Sequence, residues 1–285
     1  RARENQWGFV DFNRPMVAIN QWEQAEDSMY TLCGKDRIHP STDGHLVMAY
    51  LFLKAQGLAG KPVADIRIDG AGKKVTRSDN CRVSDLSVSS DNLTFTYEAK
   101  SLPYPIDTSY YDNEKHTQAD ALSVIPFMDE MNYEGLSVSG LSDGYYGLTI
   151  GGEFIGRFTA RELERGINMA LLQNTPQYKQ AMKIRQMNEE RWLKERKMRE
   201  FYWVEYNLMR KTGMLWACNE AAVDTLRKYR PHDIFLQWNG DLWLQYMHKG
   251  IREDCVNEQQ DLVNQIYEQN KPIPLRIEIK KFTDL

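Results

Sequence analysis

Asp36-Arg37-Ile38-His39-Pro40 sets a carboxylate and an imidazole three positions apart, with a proline that keeps the stretch from continuing as a helix. On a loop, that spacing lets the Asp36 carboxylate accept a hydrogen bond from one ring nitrogen of His39. The bond fixes the tautomer and leaves the other nitrogen free as a general base. Such a pair is the base-and-orienter half of a Ser-His-Asp hydrolase triad. The competing reading is an exposed loop histidine beside a capping aspartate. Asp43-Gly44-His45 follows directly, and His45, at the start of a helix, reads as a capping or packing residue.

The elements around the pair would have to hold it. Gly8-Phe9-Val10-Asp11-Phe12 reads as a short apolar strand. A polar loop follows, then a helix that Thr42 or Asp43 can cap, with the apolar run Leu46 to Leu53 as its core face and Gly57 as its stop. Lys61-Pro62 is a natural linker. A lone strand and one helix cannot close a sheet, and Arg1 is not a methionine. Residues 1–58 are therefore expected to be the end of a domain that begins upstream.

From Val63 to Phe158 the apolar period changes to two, at Ala64 to Ile68, Leu93 to Tyr97 and Leu136 to Val138. The clearest hairpin runs Tyr145 to Ile150, turns at Gly151-Gly152 and returns over Glu153 to Phe158. An antiparallel sheet or small sandwich is expected over 59–158, interrupted by a long loop from Ser101 to Glu134 that carries a short helix near Gln118 to Ser123. Helical signals dominate 159–285. Thr159-Ala160-Arg161-Glu162 is a capping box that opens a helix to about Leu172. Pro176 opens another, reaching about Thr212-Gly213. Further helices are predicted over Ala217–Tyr229, Ile234–Met247 and Glu253–Gln269, with a last strand at Leu275–Ile279. The fold class is α+β.

The run from Asp36 through Pro40, Ser41-Thr42-Asp43-Gly44-His45 and Leu46-Val47-Met48-Ala49 resembles the last motif block of the SGNH, or GDSL-type, ester hydrolases. Gly8 to Phe12 is similar to the final core strand of their flavodoxin-like α/β domain. The resemblance implies that His39 and Asp36 are the base and orienter of a Ser-His-Asp triad, and that 1–58 ends such a domain. Gly144 to Ile150 and Phe158 to Leu163 are similar to the C-terminal extension of some bacterial members. The family's G-D-S nucleophile block and G-x-N-D oxyanion block do not occur in these 285 residues. Ser142-Asp143-Gly144 reads in the reverse order and sits in a predicted turn, and Asn219 falls on a predicted helix. The base therefore has nothing here to activate, and the chain alone is expected to be inactive. The nucleophilic serine would lie upstream. The implied reaction is hydrolysis of a carboxylic ester, carried by a small molecule or a polysaccharide, with carbohydrate O-acetyl groups favoured by the family. The family also implies a periplasmic or secreted location. The alternative is a non-catalytic β-plus-helical module that binds a glycan or a protein.

Composition bounds the rest. The chain has 285 residues with 42% hydrophobic and 27% charged positions, and its mean hydropathy of -0.60 is that of an ordinary globular chain. Its longest apolar run is far short of the roughly 20 residues a bilayer span needs. The net charge of -4 argues against a nucleic-acid partner. Pro176 to Lys211 is locally basic, with ten Lys/Arg against five Glu, and reads as the solvated face of a long helix. Cys33, Cys81, Cys218 and Cys255 show no C-x-x-C spacing, and His116, His232 and His248 have no acidic or cysteine partner at ligand spacing, so neither metal nor cofactor is expected. Trp192, Trp203, Trp216, Trp238 and Trp243 read as core aromatics before they read as a sugar platform.

Overall fold

A computed structural model describes residues 1–109 and 116–282. The chain is α+β and divides into two compact units, one of residues 1–181 with 271–285 and the other of residues 182–270. These divisions differ from the sequence segments 1–58, 59–158 and 159–285. Residues 160–181 and the last strand both belong with the first unit.

The first unit begins with α1 (Asn13–Glu23) and α2 (Thr42–Ala55). The strand expected at Gly8–Phe12 is not formed, because no strand among the described residues pairs with it; Phe9 stands 73% exposed. The polar loop expected before α2 instead contains α1, which fully buries none of its residues but packs Met16 and Ile19 against a core. In α2 the expected helix is present, with Asp43, Leu46, Val47 and Tyr50 on its buried face. Its N-cap is Ser41 rather than Thr42 or Asp43.

Among the described residues nine strands follow: β1 (Ala64–Asp69), β2 (Lys74–Asp79), β3 (Cys81–Val88), β4 (Asn92–Ala99), β5 (Glu134–Ser139), β6 (Tyr145–Ile150), β7 (Glu153–Thr159), β8 (Ile167–Asn168) and β9 (Leu275–Lys281). They form two sheets, ordered β2-β1-β5-β8 and β3-β4-β9-β6-β7. Inward residues of both sheets share one core, with Ile66, Ile68, Leu136 and Val138 from one and Phe95, Leu148, Ile277 and Ile279 from the other. The segment is not wholly antiparallel. β1 and β5 pair in parallel, from Ala64 opposite Glu134 to Asp69 opposite Ser139, across a long crossover. β9 lies between β4 and β6, so the end of the chain supplies a central strand of the second sheet.

The crossover between β4 and β5 packs as well as connects. Ile106, Ala121, Ile125, Phe127 and Met128 close with Leu32, Leu46, Val47 and Tyr50 into a second core. This joins α2 to the 3-10 turn Gln118–Ser123 and to α3 (Phe127–Glu130). The capping box Thr159/Glu162 forms as expected, but its helix α4 (Ala160–Arg165) stops at Gly166, whose φ of +96° turns the chain into β8.

The second unit is helical. It takes in most of α5 (Pro176–Val204), one π turn (Glu205–Met209), α6 (Glu220–Tyr229), α7 (Ile234–Tyr246) and α8 (Lys249–Gln269). Its core gathers Phe201, Val204, Met209, Leu226 and Trp243. No described helix is long and apolar enough to cross a membrane.

Candidate active site

Asp36 and His39 occupy the tip of a loop that is closed at its base before α2 begins. Cys33 and Pro40 form an isolated antiparallel bridge. Gly34 N–H donates to the His39 carbonyl at 2.8 Å, Arg37 N–H to the Gly34 carbonyl at 2.9 Å, and Ser41 N–H to the Leu32 carbonyl at 3.0 Å. Within this frame Arg37 takes a φ of +56°, a left-handed turn position. The Asp36 carboxylate then folds back on the loop. Oδ1 accepts from the backbone N–H of Ile38 (2.9 Å) and of His39 (3.1 Å), and Oδ2 meets His39 Nδ1 at 2.6 Å. The bond to His39, helped by the two backbone N–H groups, holds the Asp36 carboxyl down at about 2, well below its ordinary range. With Nδ1–H donating to Asp36, Nε2 presents its lone pair outward. It has no partner among the described residues, and the His39 side chain is 83% exposed. The imidazole stands on open surface, not in a cleft.

The mount beneath the loop is rigid. Leu32 is fully buried and its N–H donates to Asn20 Oδ1 of α1 at 2.9 Å. Gly44, in the first turn of α2, lies so close to the Leu32 carbonyl that an added Cβ would overlap its oxygen and lie 3.2 Å from Pro40 Cβ. The buried Asp43 carboxylate accepts from Ser41 Oγ and from Gly44 N–H, which ties the helix start to the end of the loop. At its other end α2 is held by Glu130, which accepts from Tyr50 Oη and Lys54 Nζ, both at 2.8 Å. The Asp-His pair thus rides on a helix fixed at both ends.

Several placements escape the sequence. His116 Nδ1 comes within 3.8 Å of Asp43 Oδ2, and its ring meets Tyr30 edge-on. Burial and the nearby carboxylates of Asp43 and Glu23 push the Tyr30 hydroxyl up to about 12. In the second unit Cys218 Sγ lies 3.3 Å from His248 Nδ1. Neither pairing is visible as a short spacing, and each supplies two donors where a structural zinc takes four. Asn20 and Gly44 carry no chemical signal, yet they hold the loop. His45 is exposed on α2, so of the capping or packing role expected of it, packing is not what it does. Ser142 forms part of a turn, with its hydroxyl accepting from Lys281 Nζ at 2.8 Å and meeting Tyr146 Oη at 3.1 Å. Of the five tryptophans expected in the core, Trp243 is fully buried, whereas Trp192, Trp216 and Trp238 are 45%, 46% and 66% exposed.

The second unit is also a unit of sequence, since residues 182–271 match the family described as the diltiazem deacetylase C-terminal helical domain. No curated protein matches the chain. A solved structure of a gut microbial diltiazem-metabolizing enzyme superposes with a TM-score of 0.93 at 42% identity. It covers 99% of this chain, and the chain spans 64% of its length. Fold and sequence together therefore make this chain similar, over nearly its whole length, to 64% of a diltiazem-metabolizing enzyme.

Proposed function

We propose that the chain is the C-terminal portion of an ester hydrolase of the SGNH type, with His39 as general base and acid and Asp36 as its orienter. The observation that carries the reading is the 2.6 Å bond from His39 Nδ1 to Asp36, which leaves Nε2 outward and unpartnered among the described residues. A serine from an upstream segment would pass its hydroxyl proton to Nε2 as its oxygen attacks the ester carbonyl. The same nitrogen would return that proton to the leaving alcohol, and a water activated in the same way would release the acid from the acyl-serine.

Two further features support a partner segment outside these 285 residues. Trp7, Phe9, Trp22, Met29 and Ile38 are each at least 65% exposed within the first 38 residues, apolar surface that a further segment would cover. The similar enzyme is longer by about a third of its own length. Its action on diltiazem, and the word deacetylase in the name of the matching family, favour an acetyl ester of a small molecule as substrate; a carbohydrate ester rests on the resemblance alone. A periplasmic or secreted location follows from the resemblance alone.

A fluorophosphonate probe tests the missing half. In the full-length protein it is expected to label one serine outside residues 1–285, and His39→Ala is expected to slow that labelling by at least about 10²-fold. Labelling of a serine within 1–285 would refute the division of the triad.

A further inference from the structure

Two exposed aromatic side chains of the helical unit, Trp192 and Tyr229, line two clefts together with the half-buried Trp203. One, of about 430 Å³, lies between Trp203 and Tyr229 over the buried Leu208 and Leu236. The other, of about 320 Å³, runs from Trp203 to Trp192 beside Asn239. Trp203 belongs to both. Each has the size of a small-ligand site.

The first cleft is built at a structural cost. Its wall includes Asn207 and Leu208 from the π turn Glu205–Met209, and π turns within helices are frequently found at functional sites. Behind the wall the buried Glu205 carboxylate accepts from Trp243 Nε1 and from Trp216 N–H, both at 2.8 Å. Trp216 meanwhile sits at a φ of +62°, a strained value for so large a residue. In the same cleft Lys211 and His232 face open space, with no hydrogen-bond or ion-pair partner among the described residues. Asp233 Oδ1 caps α7 through the N–H groups of Phe235 and Leu236. In the second cleft the Arg199 guanidinium lies 5.4 Å from the Trp192 ring centre.

We propose that these clefts bind an acidic oligosaccharide, a short glycan that carries carboxylate sugars. A pyranose offers a flat C–H face and a rim of hydroxyls. Trp192, Trp203 and Tyr229 take successive rings on the faces that Arg199, Phe235 and Lys228 leave clear, Asn207 and Asn239 take hydroxyls, and Lys211 with His232 takes a carboxylate. The charge balance separates this ligand from a single-stranded nucleic acid, which also stacks on aromatics. Residues 182–270 contain 14 Lys/Arg and 14 Asp/Glu. The clefts themselves set Lys211, Arg196 and Arg199 against Glu200 and Asp233, a lining that suits a short ligand with a few carboxylates and not a long run of phosphates. The inference stands apart from the ester hydrolase reading, because it concerns binding by residues that take no part in the Asp36–His39 pair.

The test titrates the protein with trigalacturonic acid, with the neutral trisaccharide maltotriose and with a 12-nucleotide single strand, followed by calorimetry and tryptophan fluorescence. The acid trisaccharide is expected to bind about tenfold or more tightly than the neutral one and to change the fluorescence. Lys211→Ala, at an exposed position, should weaken it about tenfold without moving the melting temperature. Tyr229→Ala should weaken both sugars, and His39→Ala should leave binding unchanged. Equal affinity for both sugars, tighter binding of the nucleic acid, no binding at millimolar sugar, or affinity insensitive to Lys211→Ala would each overturn the proposal.

Discussion

Gly44→Ala puts the mount of the Asp-His loop to a direct test. The new methyl would overlap the Leu32 carbonyl oxygen and lie 3.1 Å from its carbon and 3.2 Å from Pro40 Cβ, so backbone has to move. Neither side yields easily. Leu32 is fully buried, and α2 is locked by Leu46, Val47 and Tyr50 in the same core. A displacement on the order of 1 Å follows, at an overpacking cost of about 1–3 kcal/mol. The Leu32 carbonyl also accepts from Ser41 N–H and Ser41 Oγ, at 3.0 and 3.1 Å, and weakening these adds about 1 kcal/mol. The expected loss is about 2–4 kcal/mol by urea unfolding. Because the same two residues close the loop that carries His39, hydrolysis of nitrophenyl acetate by the full-length protein should fall on the order of 10²-fold. Gly8→Ala is the control, since its methyl meets nothing within 4 Å. A Gly44→Ala protein within about 0.5 kcal/mol and threefold of the parent would refute the argument.

Two buried carboxylates give further expectations. Burial pushes Glu134 up to about 7 from an ordinary 4.5, against the pull of hydrogen bonds from Tyr97 Oη and Gln177 Nε2. A raised carboxyl value means that its contribution is fully present below pH 4.5, falls as pH rises to about 7 and then levels off, a loss of about 3 kcal/mol. Glu134→Gln should flatten that slope in unfolding measured from pH 4 to 8, and its amide N–H can serve Gln177 Oε1, which has no hydrogen-bond partner among the described residues. An unchanged slope would exclude Glu134 as its source. Glu205→Ala strands the N–H groups of Trp243 and Trp216 and is expected to cost about 2–4 kcal/mol in thermal unfolding followed by circular dichroism. A loss below about 0.5 kcal/mol would mean that the π turn does not depend on this carboxylate.

What could be read from the sequence follows from how local each signal is. The Asp36–His39 bond spans three residues, and the capping box at Thr159 and Glu162 spans the same distance, so both were legible as spacings. The hairpin of β6 and β7 announced itself through Gly151-Gly152. Long-range pairing left no such mark. β1 meets β5 about 70 residues later in parallel, and β9 reaches its place between β4 and β6 from the end of the chain. β2, with polar residues on both faces and none of them buried, has no alternation to detect. At the site, the chemistry was visible because Asp and His are rare in that arrangement. The mount was not, because Gly44 acts by lacking a side chain and Asn20 by one hydrogen bond to a backbone 12 residues away.

The central claim is that His39, held by Asp36, is the proton carrier of an ester hydrolase. With Asp36 ionised down to about pH 2, its protonation does not set the acid limb of the rate profile, and Asp36→Asn acts by spoiling the orientation of the imidazole. The most direct measurement is kcat for nitrophenyl acetate in the full-length protein carrying His39→Ala, beside Asp36→Asn. The account expects a fall of about 10²- to 10⁴-fold for His39→Ala; a rate within about twofold of the parent would contradict it.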